Sequence, residues 1–338
     1  RGQIFGTDGI RGRVGGPLVN PDFAACLGTA VGDVLKKQGV TDGEIVIGRD
    51  TRKSGAALRD GLTMGLTTAG FSCVDLGVVP TPAVALNTMK CGAVLGVALT
   101  ASHNPASDNG FKFFQGCGRK VDNAWEGEVE SLLEETGGGA TVPASLENRH
   151  AEAVETYCQF VSSQFPVGLL KGLKIVVDTA NGGTSETTPR VLRALGAELL
   201  QLGHEPDGFN INDGVGSEYP AAMAECVAAG RADLGLAHDG DGDRLVISDE
   251  SGHVLEGDEV LGIVALDWIR KGLLAERTVV GTVQCNAGLD ATLKKAGGQL
   301  VRTEVGDRPV TRRMFEDGLN FGGEPSGHFV FRDCLPTG

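Results

Sequence analysis

The stretch Thr100-Ala101-Ser102-His103-Asn104-Pro105 follows an apolar run, residues 93–99, that predicts a buried strand. Asn104-Pro105 favours a turn, so Ser102 is expected on a sharp bend at the carboxyl end of that strand. Open α/β sheets bind their ligands at this edge. Ser102 is therefore the first candidate functional residue.

Two later strands end in polar loops of a similar kind. Residues 232–237 lead into Asp239-Gly240-Asp241-Gly242-Asp243-Arg244, and residues 318–321 lead into Gly323-Glu324-Pro325-Ser326-Gly327-His328. Strands alternate with helices along the chain, and the same order of elements occurs three times. The pattern predicts an α/β fold of three consecutive similar domains, with mostly parallel mixed sheets around a shared cleft.

Changes in composition predict the domain boundaries. Gly137-Gly138-Gly139 and the polar residues that follow indicate a linker after an acidic helix. The second series of strands and helices ends soon after the acidic loop. The expected domains are residues 1–148, 149–252 and 253–338.

Short sequence motifs predict the position of Lys112 and the residue that caps the first helix. Asp108-Asn109-Gly110 predicts a tight hairpin turn into an apolar strand, which brings Lys112 back toward Ser102. Asp22 is the expected N-cap of a helix that runs to about Lys37.

Composition narrows the class of protein. The 338 residues are 41% apolar and 22% charged, which is typical of a globular protein, and the formal charge of −14 argues against a nucleic-acid partner. We expect no membrane association, because no apolar stretch has the length of a bilayer span and no charged-then-apolar leader begins the chain. The eight cysteines show no metal-binding spacing, which predicts reduced thiols in the cytoplasm.

The acidic loop is a candidate metal site. Asp239, Asp241 and Asp243 alternate with glycines, and hard carboxylate oxygens select Mg²⁺ or Ca²⁺ over Zn²⁺. An EF-hand would place Glu250 at its twelfth position, but Arg244 occupies the sixth, where that loop requires glycine. A purely structural acidic turn remains an alternative. Because we expect the loop to be solvated, its carboxylates should repel one another without a cation.

Ser102 has three possible roles. A hydrolase nucleophile is disfavoured, because the surroundings are not G-x-S-x-G and the adjacent His103 is badly placed to accept the hydroxyl proton. A capping or turn role stays open. Lys112, Arg11 and Arg244 in the same predicted cleft favour instead a serine that carries phosphate, since phosphoryl transfer needs positioning and charge neutralisation.

Two further loops are candidate binding elements. The loop Gly6-Thr7-Asp8-Gly9-Ile10-Arg11-Gly12 offers the guanidinium of Arg11 to a phosphate, although a surface turn would look the same. Glu324, Ser326 and His328 alternate, so an extended loop would direct all three at one partner. Sugar hydroxyls fit that set, and a solvated loop is the alternative.

Together the loops resemble the four signature loops of the α-D-phosphohexomutases in order and spacing over the whole chain; they are residues 5–12, 100–105, 239–244 and 323–328. The resemblance implies a phosphoserine at Ser102 and a bound Mg²⁺. The implied metal ligands are the serine phosphate, Asp239, Asp241 and Asp243. The residues implied to surround the transferred phosphoryl group are Arg11, His103, Lys112 and Arg244. The implied substrate-binding residues are Glu324, Ser326, His328 and Arg308.

Within that family, residues 5–12, 281–286 and Val305-Gly306-Asp307-Arg308 resemble the phosphoglucosamine mutase branch. This implies interconversion of glucosamine 6-phosphate and glucosamine 1-phosphate through a 1,6-bisphosphate. Pro325 departs from the glutamine usual in that branch, so a phosphomannomutase/phosphoglucomutase is the rival. A non-catalytic phosphosugar-binding protein is a third possibility.

The resemblance leaves two further expectations. His103 and His328 are both candidates for the general base, and a homodimer is compatible with the sequence. The family has a fourth domain whose loop grips the non-reacting phosphate, and the sequence stops at Gly338 before it. The chain is therefore expected to fold and bind Mg²⁺ but to catalyse poorly by itself.

Overall fold

The computed structural model describes residues 4–6, 8–133 and 146–338. The strands in these ranges are β1 Ile10–Arg13, β2 Glu44–Arg49, β3 Ser72–Val78, β4 Leu95–Leu99, β5 Asp108–Gln115, β6 Glu147–Asn148, β7 Lys174–Asp178, β8 Glu198–Leu202, β9 Leu234–His238, β10 Leu245–Ser248, β11 Thr278–Thr282, β12 Gln299–Thr303, β13 Phe321–Gly323 and β14 Phe329–Phe331. The α-helices are α1 Pro21–Lys37, α2 Gly55–Thr68, α3 Thr81–Cys91, α4 Asn123–Leu133, α5 His150–Ser163, α6 Thr187–Ala194, α7 Ala221–Cys226, α8 Gly257–Lys271, α9 Ala287–Lys295 and α10 Asp307–Glu316.

The strands form three sheets that share one topology. Their orders are β1-β5-β4-β2-β3-β6, β10-β9-β7-β8 and β12-β11-β13-β14. Each sheet contains four strands that follow one another along the chain, β2 to β5, β7 to β10 and β11 to β14, and β1 and β6 add edges to the first sheet. The first of the four pairs in parallel with the second and third, and the fourth returns antiparallel beside the third. The third strand of each unit precedes a predicted functional loop. The predicted three similar α/β units with mostly parallel mixed sheets are confirmed.

Both faces of the first sheet are buried, and successive side chains of β2 point to opposite faces. Ile45 and Ile47 pack under α1 and α2, whereas Val46 packs under α3 and α5. The helices α1 and α2 approach closely at glycines, since a Cβ atom at Gly65 would lie 2.0 Å from the carbonyl oxygen of Ala25. A larger side chain there would force the helices apart.

The helix α5 joins the first two sheets. Its residues Ala153 and Val154 lie in one buried cluster with Leu76 of β3 and with Val191 of α6. The helices on one face of the first sheet therefore share a buried core with α6 of the second unit.

One local prediction, the hairpin turn before Lys112, was wrong. Asp108-Asn109-Gly110 is not a hairpin turn but the start of β5, where Asn109 pairs with Gly12 of β1. The chain reverses earlier, where Ser102 has a positive φ and Pro105 follows. Pairing with β1 therefore overrides the local turn signal, while Lys112 still returns to the site.

Two element boundaries also differ from prediction. The N-cap of α1 is Asn20 rather than Asp22, because the Asn20 side chain accepts from the Phe23 N–H and Pro21 begins the helix. The last functional strand is β13, shifted along the chain from the predicted 318–321, because Gly318 has a φ of 69° and forms a turn after α10.

No helix in the described residues has both the length and the apolar character that a membrane span requires. The eight cysteines all lie in the described ranges and are free thiols. The predicted linker at Gly137-Gly138-Gly139 lies outside the described residues.

Candidate active site

The amino-terminal loop and the three strand-end loops meet in one cavity of about 270 Å³. The residues that line it are Asp8, Arg11, Ser102, His103, Lys120, Asp243, Arg244, Gln284, Val305, Gly306, Asp307, Glu324, Ser326 and His328. Most of the residues singled out from the sequence are thus in one place, contributed by all three sheets.

Ser102 is buried and directed at the acidic loop. Its Oγ donates a hydrogen bond of 2.6 Å to Oδ2 of Asp239, and its N–H donates to Oγ1 of Thr100. The φ of Ser102 is 53°, a conformation that costs free energy in residues other than glycine. The sharp bend expected at the end of β4 is present, and it points the hydroxyl across the domain boundary.

The three loop aspartates are buried, so the expected solvated loop is wrong. One carboxylate oxygen from each of Asp239, Asp241 and Asp243 lies within 4.8 Å of the others. Burial, and then the charges of the other two, raise the pKa of Asp239 well above its usual range. The Oδ1 of Asp241 is buried and has no hydrogen-bond partner among the described residues. This donor set fits a hard metal ion.

Lys112 supplies a positive charge inside the acidic loop. Its Nζ lies 2.7 Å from Oδ2 of Asp241, 2.8 Å from Oδ2 of Asp243 and 2.9 Å from Oδ2 of Asp8. Burial lowers the pKa of Lys112, but the three carboxylates raise it more, so the net shift is well above its usual value. The ammonium group therefore relieves the repulsion among the carboxylates.

The cavity wall next to Ser102 is cationic. Arg11 pairs with Asp8 at 2.5 Å, and Arg244 pairs with Glu218 at 3.2 Å. Burial and the nearby charge of Arg244 lower the pKa of His103. Two guanidinium groups and a neutral imidazole thus face the space in front of the serine, an arrangement suited to a phosphoryl group.

The third domain contributes a compact loop. Glu324 is buried and its Oε1 accepts a hydrogen bond of 2.9 Å from the Gly306 N–H. The backbone N–H of Glu324 donates to the carbonyl oxygen of His328, which closes the loop. Ser326 is exposed at the cavity surface. The three alternating residues all line the cavity, although the loop is a closed turn rather than the expected extended segment.

His328 lies between two carboxylates from different domains. Its Nδ1 is 3.8 Å from Oδ1 of Asp243, and its Nε2 is 3.7 Å from Oδ2 of Asp307. Burial lowers the pKa of His328, but Asp243 and then Asp307 raise it more, so the net shift is upward. The ring is therefore held in its protonated form over a wider pH range than a free histidine.

The raised pKa predicts a pH-dependent contribution of His328 to stability. A raised folded pKa stabilises the protein at pH values below the ordinary 6.5, and the contribution is lost as pH rises through the folded pKa. We expect His328→Gln to lower the free energy of unfolding of the metal-free protein by on the order of 1 kcal/mol below pH 6.5, and by less in alkaline solution. Urea unfolding at the two pH values measures this.

The exposed His253 provides the control, because its Nε2 lies 3.9 Å from Oε2 of Glu259 at the surface. His253→Gln should change stability little at either pH. An equal loss for His328→Gln at both pH values would show that the imidazole contributes packing rather than charge.

Arg308 was expected to bind substrate, but it is not among the described residues that line the cavity. Its Nη1 donates to Oε2 of Glu126 at 2.9 Å, its Nη2 donates to the other carboxylate oxygen, and both side chains are largely buried. Its guanidinium group therefore joins α10 to α4 across the first and third domains.

Two residues, one that lines the cavity and one that contacts the acidic loop, were not predicted from the sequence. Lys120 hydrogen bonds with both Asp8 and Asp307, so it also connects the first and third domains. Thr81, at the start of α3, donates from Oγ1 to Oδ2 of Asp241 at 2.6 Å. These residues lie outside any recognisable motif, and their roles depend on contacts between distant segments.

Models of three domains of one family match the chain in order. Phosphoglucomutase/phosphomannomutase alpha/beta/alpha domain I matches residues 2–138, domain II matches 155–252 and domain III matches 256–338. Each of the three functional strand-end loops falls in a different matched domain.

Individual proteins similar to this chain are named as members of the same family or as phosphoglucosamine mutases. A phosphoglucosamine mutase from Pelotomaculum thermopropionicum is 44% identical over 341 residues, which cover 100% of this chain and 76% of the relative. One from Aeromonas salmonicida is 46% identical over 338 residues, covering 99% and 76%. The structure of a phosphoglucomutase/phosphomannomutase family protein from Burkholderia thailandensis has a TM-score of 0.85 at 28% identity, covering 99% of this chain and 73% of that one. The chain therefore belongs to the phosphoglucomutase/phosphomannomutase family, the α-D-phosphohexomutases.

Proposed function

We propose that the protein interconverts glucosamine 6-phosphate and glucosamine 1-phosphate through a phosphoserine at Ser102. The observation that carries this is the placement of Ser102 Oγ 2.6 Å from Asp239, in a cavity walled by Arg11 and Arg244. Relatives named phosphoglucosamine mutase, 44% and 46% identical over nearly the whole chain, support the amino sugar as substrate.

The reaction consists of two phosphoryl transfers. In the first, the bond between Oγ of phosphorylated Ser102 and phosphorus breaks, a bond forms to the O1 oxygen of glucosamine 6-phosphate, and the proton of that hydroxyl passes to a base. The bisphosphate then reverses its orientation in the cavity, so that O6 lies near Ser102. In the second transfer, the bond between O6 and phosphorus breaks and a bond forms to Oγ of Ser102, which had gained a proton when it left in the first transfer. Oγ gives up that proton, and O6 takes one as it leaves. Arg11, Lys112 and Arg244 offset the charge on the transferring oxygens.

We assign the general base to His103 rather than His328. A base must be unprotonated near neutral pH, and burial lowers the pKa of His103. His328 has the opposite shift, and its ring lies between two carboxylates. We propose that His328 binds the sugar together with Glu324 and Ser326, and that Arg308 holds the domains together instead of contacting substrate.

We propose Mg²⁺ as the metal, held by Asp239, Asp241, Asp243 and the phosphate on Ser102. The support is the hard carboxylate donor set and the buried Oδ1 of Asp241, which has no hydrogen-bond partner within residues 4–6, 8–133 and 146–338. When bound, Mg²⁺ supplies positive charge beside the phosphoryl oxygens. Besides binding the metal, Asp239 accepts the hydrogen bond that orients the Ser102 hydroxyl.

A phosphomannomutase/phosphoglucomutase is the rival function, and turnover of a panel of hexose phosphates by the full-length protein separates the two. We expect kcat/KM to be higher for glucosamine 6-phosphate than for glucose 6-phosphate or mannose 6-phosphate. Preference for glucose 6-phosphate or mannose 6-phosphate would favour the rival. Binding without turnover of any sugar would favour a phosphosugar-binding protein.

Three further points remain proposals. We place the domain boundaries near residues 148 and 252, so that each sheet keeps its own functional loop. A cytoplasmic location and a homodimer stay predictions.

A further inference from the structure

A fully buried arginine lies behind the loop that carries Ser102. Arg52 follows β2 by three residues, and its side chain and that of Asp50 have no exposed surface. The Nε of Arg52 donates to Oδ2 of Asp50 at 2.8 Å, and its backbone N–H donates to Oδ1 at 3.0 Å. Burying an arginine is costly unless all of its donors are satisfied, so the remaining partners matter.

The remaining donors of Arg52 all reach carbonyl oxygens of the Ser102 loop. Nη2 donates to Ser102 at 2.9 Å and to Asn104 at 2.7 Å. Nη1 donates to Asp108 at 2.9 Å and also to Pro105. A guanidinium group has five N–H donors in a rigid fork, and all five are used here. The loop is thus wrapped around the guanidinium group through its backbone.

A second donor reaches the same carbonyl groups from the second domain. Asn212, at a φ of 58°, donates from Nδ2 to Ser102 at 2.9 Å and to Asn104 at 3.0 Å. A Cβ atom on Gly240 would lie 2.7 Å from the Ser102 carbonyl oxygen and 2.8 Å from this Nδ2, so the acidic loop closes over the contact.

These contacts explain how Ser102 keeps a strained backbone. Carbonyl oxygens that converge on one point repel one another unless donors lie between them. The guanidinium group supplies those donors, and the carbonyl oxygen of Ser102 is fixed by Arg52 on one side and by Asn212 on the other. With its carbonyl oxygen fixed, Ser102 directs its Oγ toward Asp239.

We propose that Arg52 and Asn212 are positioning residues for phosphoryl transfer, which hold the Ser102 loop so that Oγ faces the acidic loop. Arg52 sets the shape of the loop within the first domain, and Asn212 sets its position relative to the second. The proposal rests on the proposed function, since it assigns these residues to the transfer at Ser102. Neither residue is among the described residues that line the cavity.

The test uses Arg52→Lys and Asn212→Gly in the full-length protein. Lysine keeps the charge beside Asp50 but cannot bridge four carbonyl groups, and glycine keeps the positive φ of position 212 but removes the donor. We expect kcat to fall about 100-fold for Arg52→Lys, as for a misplaced reacting group, and roughly ten-fold for Asn212→Gly, with KM unchanged. The phosphorus NMR shift of the phosphoserine should also move in both variants.

Matched controls exist in the same domains. Arg59 pairs with Asp60 and Asp75 away from the cavity, and Asn181 also has a positive φ and donates to a backbone carbonyl, that of Asn210. Arg59→Lys and Asn181→Gly should leave kcat and the phosphorus shift as in the wild type.

The proposal is overturned if Asn212→Gly keeps the wild-type kcat and phosphorus shift, or if kcat in either variant falls only in proportion to the unfolded fraction. Should Arg52→Lys fail to fold, Asn212→Gly decides the question alone. Absence of glucosamine phosphate turnover in the wild type would instead overturn the proposed function.

Discussion

Ser102→Ala is expected to reduce turnover of glucosamine phosphates to background, a loss on the order of 10⁴-fold or more, because no other group replaces a removed nucleophile. The hydroxyl is buried and its hydrogen bond to Asp239 is the contact that aligns it. Removing one small polar atom should leave the cavity shape and the binding of glucosamine 6-phosphate intact. Kinetics with a coupled assay and calorimetric binding measure the two effects.

A serine outside the site provides the control. Ser131 lies on α4 and its Oγ donates to the carbonyl oxygen of Gly127 at the surface. Ser131→Ala should keep wild-type kcat. Turnover by Ser102→Ala near the wild-type rate would show that another residue carries the phosphoryl group.

Asp241→Asn is expected to weaken Mg²⁺ binding and to lower kcat by about 10³-fold, comparable to the loss of a group that stabilises transition-state charge. The carboxylate has one buried oxygen with no hydrogen-bond partner in the part of the chain that the structure describes, and an amide in its place lacks the charge that a metal ligand needs here. Titration calorimetry with Mg²⁺ and steady-state kinetics test both parts.

Without metal, Asp241→Asn should be about as stable as the wild type. The expected reason, a solvated loop, does not apply, because the loop aspartates are buried. Asparagine keeps an oxygen that accepts from Lys112 and Thr81, and the lost attraction to Lys112 is offset by weaker repulsion from Asp239. Asp267→Asn, on the exposed face of α8, is the matched control. Wild-type Mg²⁺ affinity in Asp241→Asn would place the ion elsewhere.

The sequence predicts the position of those candidate residues that lie at the carboxyl ends of strands. Ser102 and Asp239 lie in loops after apolar strands, and such loops gather at one edge of a sheet. Repetition of the strand order in three units then places the loops around one cleft. These signals are local, so a single sequence suffices to read them.

Contacts between distant segments could not be predicted in this way. Arg52 stands in no recognisable phosphate or metal motif, and its role appears only when four carbonyl groups of the Ser102 loop fold around it. Arg308 belongs to a stretch, residues 305–308, that resembles one branch of the family, yet its partner Glu126 is 182 residues away in the sequence. Likewise the local turn signal at Asp108-Asn109-Gly110 is overridden by pairing with β1.

The central claim is that Ser102 carries the phosphoryl group between the two sugar oxygens. The most direct measurement phosphorylates the full-length protein with radiolabelled bisphosphate, adds excess unlabelled glucosamine 6-phosphate and follows the label in a rapid-quench experiment. The account predicts that the label leaves Ser102 at least as fast as kcat and appears first in glucosamine 1,6-bisphosphate. Label that stays on Ser102 while glucosamine 1-phosphate accumulates would contradict it.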